Sequence, residues 1–275
     1  MRALRPSLAL LAGLLTAVLV AQPAVADAGP PPSSMASMGD SITRGFNACG
    51  WYVDCPSRSF STGTTTSVNS HYNRILAKNP AISGRNFNDA RSGAKVADMF
   101  GQAGTAVSQG VGYVTILIGA NDACTSSEAS MTSVTAFRAS IDSALARLKA
   151  GLPNAKVAVL SVPNVWQLWN VGRTSSSARS TWSLFGICQS LLANPTSTNQ
   201  ADVDRRARVR QRVVDFNTQL AAACAAYGAN CDFDDNAIFN FAFSLSQVST
   251  WDYFHPNASG QTVLASVSYA AGFGW

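Results

Sequence analysis

The chain has 275 residues, of which 47% are apolar and 13% charged, enough hydrophobic material for a sizeable core in one α/β domain. Its net charge of +5 is too small for a surface that binds polyanions through bulk charge, so nucleic acid is not an expected partner. Only two histidines, no HExxH and no CxxC pair argue against a bound metal.

The chain begins with Arg2 and Arg5 ahead of the apolar run LALLAGLLTAVLV, which ends in the small residues Ala24, Val25 and Ala26. A basic start, a short apolar middle and a small-residue end make an export signal over residues 1–26. The run is shorter than the roughly 18 apolar residues that a membrane span needs, and no later stretch comes near it. The mature chain is therefore expected to be soluble and secreted, with a Pro-rich linker over 27–34 and one domain over 35–275. Loss of Arg2 and Arg5 leaves it a net charge of +3.

MASM, from Met35, is the first predicted strand. SVNSHYNRILAKNP reads as a helix with Tyr72, Ile75 and Leu76 on one side, His71 solvated on the other and Asn79-Pro80 as its stop. NFNDA is a weak strand candidate ahead of Gly93, and AKVADMFGQAGTAVSQG places Val96, Met99, Phe100, Ala103 and Val107 at helical spacing. YVTILI, residues 113–118, is continuously apolar and β-branched, the pattern of a strand buried on both faces of a parallel sheet. The next helix carries the stripe Val134, Phe137, Ile141, Leu145 and Leu148, and Lys149, Gly151 and Pro153 end it. KVAVLSV is another buried strand.

Residues 163–200 are less regular and hold Trp166, Trp169 and Trp182, which serve either as the wall of an acyl groove or as a local core. A long helix follows with Val209, Val213, Phe216, Leu220, Cys224 and Tyr227 as its buried stripe. Arg205, Arg206, Arg208, Arg210 and Arg212 on that helix read first as a solvated face, and otherwise as a site for phosphate head groups. NCDFDD is a late strand and ASGQTVLASVSYAAG a final helix. Strands that alternate with amphipathic helices build βαβ units and a doubly wound sheet.

An even set of cysteines in an exported chain favours disulfides over metal ligation. Short loops favour Cys49 with Cys55 and Cys224 with Cys231, leaving Cys124 for Cys188.

Chemistry in such a fold gathers outside the carboxyl ends of the strands, where the βα loops open onto one edge. Ser41 follows the first strand and Asn121 follows YVTILI, so the two share an edge if those strands are parallel neighbours. A serine hydroxyl needs a base to become a useful nucleophile, and a catalytic imidazole needs an acceptor on its other nitrogen. His255, with Asp252 three residues earlier in WDYFHPNASGQ, can supply both partners. Candidate donors to an oxyanion are the Ser41 N–H, the Gly93 N–H, where a glycine permits close approach, and the Asn121 amide. Each of these residues alone also has an ordinary turn or capping explanation.

Taken in order, GDSITRG with Ser41, ARSGAKV with Gly93, GAND with Asn121 and DYFHP with Asp252 and His255 resemble the four blocks of the SGNH, or GDSL, hydrolase superfamily. The DYFHP and GFNACGWYVDCP segments are similar to secreted actinomycete members with three disulfides. The resemblance implies a flavodoxin-like three-layer α/β/α sandwich around a mostly parallel sheet. It also implies a Ser41, His255, Asp252 triad, an oxyanion hole from Ser41, Gly93 and Asn121, and no metal or cofactor. The absence of GxSxG sets the chain apart from ordinary α/β-hydrolases. The expected activity is hydrolysis of lipid or short acyl esters by a secreted monomer, with transient contact with a lipid surface. Polysaccharide O-deacetylation at the same site, and a non-catalytic binding module on the same fold, are the alternatives.

Overall fold

Met35–Gly39 (β1) is buried at every position, because it pairs on both sides inside a sheet that helices cover on both faces. The computed structural model describes Met1 and residues 29–275; the signal read over 1–26 and the start of the linker at 27 lie, Met1 apart, outside them. The other strands are β2 (Asn86–Asn88), β3 (Tyr113–Leu117), β4 (Lys156–Leu160) and β5 (Cys231–Phe233). They run parallel in the order β2-β1-β3-β4-β5, the flavodoxin-like order, with its switch point between β1 and β3. The register sets Met35 opposite Tyr113 and Gly39 opposite Leu117, so β1 and β3 end level and their following loops emerge side by side.

The helices are α1 (His71–Leu76), α2 (Met99–Gln109), α3 (Ala120–Ala123), α4 (Val134–Gly151) and α5 (Val165–Gly172). They continue with α6 (Ser176–Leu184), α7 (Gln189–Leu192), α8 (Gln200–Tyr227), α9 (Ala237–Asn240) and α10 (Ala258–Ala270). The β1 to β2 crossover runs one way across the sheet and the later crossovers run the other. Right-handed connections therefore put α1 on one face and α2, α4 and α8 on the opposite one. On that second face α4 packs between α2 and α8, with Phe137 and Phe216 stacked at 4.0 Å. Disulfides join Cys49 to Cys55, Cys124 to Cys188 and Cys224 to Cys231. No helix among the described residues is long and apolar enough to cross a membrane.

Several expectations need correction. The first helix is six residues long: Asn69 takes a left-handed φ of 50°, and Ser70 caps the helix by accepting from Asn73 N. His71 is therefore not on a solvated helix face but 1% exposed, bonded through Nδ1 to Tyr113 Oη at 2.9 Å and through Nε2 to Ser268 Oγ at 2.7 Å. Phe100 leaves the buried stripe of α2 and lies exposed beneath the Arg147 guanidinium, while polar Gln102 is buried in its stead. Residues 163–200, read as less regular, hold the three short helices α5, α6 and α7.

The arginines of α8 are fasteners more than a solvated face. Arg205 donates to the carbonyls of Gln189, Ser190 and Ala193, and Arg206, 3% exposed, to those of Asn194 and Ser197. Arg208 makes a two-pronged pair with Glu128, and Arg212 caps the Thr132 carbonyl. Arg210 stays exposed, with its guanidinium near the Phe239 ring.

Candidate active site

The turn after β1 is held from three directions. Gly39 has φ 152°, and a Cβ there would run into the Leu117 carbonyl and the Thr43 side chain, so this position admits no side chain. Gln102 from α2 closes a two-bond clasp on Gly39, accepting from its N–H at 2.7 Å and donating to its carbonyl at 2.9 Å. Gln261 from α10 donates to the Ile42 carbonyl at 2.8 Å and accepts from Phe60 N. Between these clasps sits Ser41, 6% exposed, with its side chain directed at His255.

His255 Nε2 lies 2.7 Å from Ser41 Oγ, and His255 Nδ1 lies 2.5 Å from Asp252 Oδ2. The local fold explains this alignment. Asp252 Oδ1 accepts from the N–H groups of Phe254 and His255, a turn that holds the carboxylate against its own histidine. Trp182, fully buried, donates from Nε1 to the Tyr253 carbonyl and holds the same turn from α6. The imidazole makes edge contacts with the rings of Phe46 and Phe254, at centroid distances of 4.9 and 5.0 Å.

Gly93 and Asn121 are tied to the same rim. Arg91 N donates to the Gly39 carbonyl, Asn121 Nδ2 to the Ala94 carbonyl at 2.9 Å, and Val96 N to Asp122 Oδ2 at 3.0 Å. These bonds join the ends of β1 and β3 to the Gly93 turn. Gly93 has φ 81° and nothing within 4 Å of where a Cβ would lie, so its backbone conformation, not crowding by the protein, calls for glycine. Among the described residues the N–H groups of Ser41 and Gly93 have no protein acceptor, and Asn121 Nδ2 has only Ala94. Each of the three can therefore still donate to a ligand.

Asp40, beside Ser41, is 1% exposed and accepts from Ile42 N through Oδ1, while Oδ2 has no partner. Burial pushes this carboxyl up to about 6, against the lowering effects of the Ile42 N–H and of His255. Its folded pKa exceeds the unfolded one, so it opposes folding increasingly as the pH rises from about 4 to 6, and fully above that. Burial also raises Asp122, partly countered by bonds from Thr132 and Val96. Sequence reasoning missed Gln102 and Gln261 and gave Trp182, read as groove wall or local core, no role at the acid turn; no local pattern marks these tasks.

A small apolar cavity of about 70 Å³, open to solvent, adjoins this rim. Its wall includes Ile42, next to Ser41 in the chain, Ala120, next to Asn121, and Phe254 and Pro256, on either side of His255. The same wall includes Leu168, Val171 and Phe243. None of the tryptophans of the 163–200 segment lines it: Trp182 is core, and Trp169 bonds the Pro195 carbonyl.

Known proteins agree with this architecture. An extracellular lipase from Streptomyces rimosus superposes with a TM-score of 0.51 at 21% identity, covering 86% of this chain and 99% of its own. An acetylxylan esterase from Geobacillus stearothermophilus, solved as a catalytic mutant, gives 0.56 at 15% identity, with 88% and 94% covered. At these identities the likeness is one of fold. A search of curated proteins finds no significant match. The GDSL-like Lipase/Acylhydrolase family model, in contrast, matches residues 35–267, nearly all of the described chain. The chain belongs to that family and is a carboxylic ester hydrolase.

Proposed function

We propose that the protein is a secreted lipase or esterase in which Ser41 attacks the acyl carbonyl of an apolar ester. The observation that carries this reading is the unbroken chain from Ser41 Oγ through His255 to Asp252. His255 Nε2 takes the serine proton as the Oγ–carbon bond forms, and Asp252 holds the tautomer and stabilises the imidazolium. The Ser41 and Gly93 N–H groups and the Asn121 amide receive the oxyanion. Collapse of the tetrahedral intermediate returns the proton to the departing alcohol and leaves an acyl-enzyme. Water, activated by the same imidazole, then releases the acid. Three disulfides fit an oxidising, extracellular setting for this chemistry.

The apolar lining beside Ser41 favours an acyl chain over an acetyl group on a sugar, because each further methylene laid against such a wall leaves water. Trp51, Tyr52, Val53 and Trp251 are exposed around the Cys49–Cys55 loop and suit a lipid aggregate that presents such chains. The test is a panel of p-nitrophenyl acetate, butyrate, octanoate and palmitate together with acetylated xylan. Octanoate is expected to exceed acetate in kcat/KM. Leu168→Trp, which adds bulk to the cavity wall, is expected to cut octanoate turnover about tenfold or more and to spare acetate. Equal losses on both esters would detach the cavity from the acyl chain; preference for acetylated xylan would favour the deacetylase reading, and complete inactivity the binding module.

A further inference from the structure

Asn47 lies on the loop that follows the Ser41 turn, 205 positions before Asp252, and its Nδ2 donates to Asp252 Oδ2 at 2.6 Å. That oxygen is the one that accepts from His255 Nδ1. Asn47 is 1% exposed and its Oδ1, also buried, has no partner. An apolar side chain would be the better filling for such a place, since a buried acceptor without a donor destabilises the fold. The amide orientation is nevertheless fixed, because the flipped group would set Oδ1 against a carboxylate oxygen. The backbone is committed as well: φ is 66°, the N–H donates to the Val53 carbonyl, and the carbonyl accepts from Gly50 N. The Cys49–Cys55 disulfide closes this loop, and the Arg58 guanidinium holds it at the Ala48 carbonyl at 2.7 Å. Two further contacts dock it on the acid turn, from Trp251 Nε1 to the Gly50 carbonyl and from the Phe46 ring to the imidazole.

Resting on the triad reading above, we propose that Asn47 is a positioning residue for Asp252 and, through it, for His255. Without the amide, Asp252 Oδ2 keeps only the imidazole as partner, and the carboxylate is held on its other oxygen alone, by the N–H groups of Phe254 and His255. With it, the second donor fixes the oxygen in line with Nδ1, so the base faces Ser41 before substrate arrives. The disulfide-closed loop is the rigid arm that carries this donor.

The experiment compares Asn47→Gly, which keeps the left-handed backbone and deletes the amide, with Asn47→Asp, which keeps the shape and replaces the donor by an acceptor. On p-nitrophenyl butyrate both are expected to lose kcat roughly 10- to 100-fold with little change in KM. The low-field proton resonance of the His255 Nδ1–H, absent from His255→Gln, is expected to shift or broaden in both. Full kcat in Asn47→Asp with loss only in Asn47→Gly would make Asn47 a space-filler. Wild-type kcat in both would also overturn the proposal while leaving the triad in place. The triad reading fails separately, if His255→Gln itself retains wild-type turnover.

Discussion

Ser41→Ala is expected to lower kcat on p-nitrophenyl butyrate by about a millionfold, the size of effect seen when a serine nucleophile is removed from a complete triad. The side chain makes one hydrogen bond, to His255, and the surrounding turn is held by Gln102, Gln261 and Asp40, none of which needs the hydroxyl. The variant should therefore keep its circular dichroism spectrum and melting temperature. A residual rate above water is expected because the three oxyanion donors remain, and they alone sustain part of the catalysis in such sites. Turnover within tenfold of wild type would remove Ser41 from the reaction.

The two histidines are expected to separate completely. His255→Gln should cost kcat nearly as much as Ser41→Ala, since base and nucleophile act as one unit, and the double variant should be no worse than either single one. His71→Gln should leave kcat unchanged, because His71 bonds Tyr113 and Ser268 behind the sheet, away from the Ser41 rim. Its expected effect is on stability, about 1–3 kcal/mol at pH 8 for leaving those buried hydroxyls poorly partnered. Burial lowers the His71 pKa from the ordinary 6.5 to about 3, with the charge of Arg74 a smaller contribution. The neutral ring is thus what the fold accepts. Stability is fully present above pH 6.5 and is lost as the pH falls from there toward 3, where the unfolded chain binds a proton that the native one refuses. Thermal unfolding followed from pH 8 to 4 should show a shallower acid decline in His71→Gln than in wild type. Parallel curves would contradict the buried-neutral assignment.

The contrast also shows what is legible in this sequence. The strands are readable because runs such as YVTILI are apolar on both faces, and the five candidate site residues stand out only through the order of four short blocks that resembles a known family, since each alone fits an ordinary turn or cap. At Gly93 the left-handed φ of 81° favours glycine. His71 is misread because a helical wheel drawn over fourteen residues assigns it an outer face, whereas the helix has six and begins at that histidine. Its partners lie 42 and 197 positions away, and no local pattern encodes them. The same is true of Gln102, Gln261 and Asn47, polar residues whose partners are set by tertiary approach. The helices of 163–200 are missed because four to nine residues give too few turns for a periodic signal. The tryptophans there draw the eye to a groove that aliphatic neighbours in fact line.

The most direct test of the central claim is covalent trapping. Wild-type protein treated with a p-nitrophenyl alkylphosphonate should gain one phosphonyl mass with loss of all ester hydrolysis, and the label should lie on the peptide that carries Ser41. Label on another residue, or undiminished hydrolysis after stoichiometric labelling of Ser41, would contradict it.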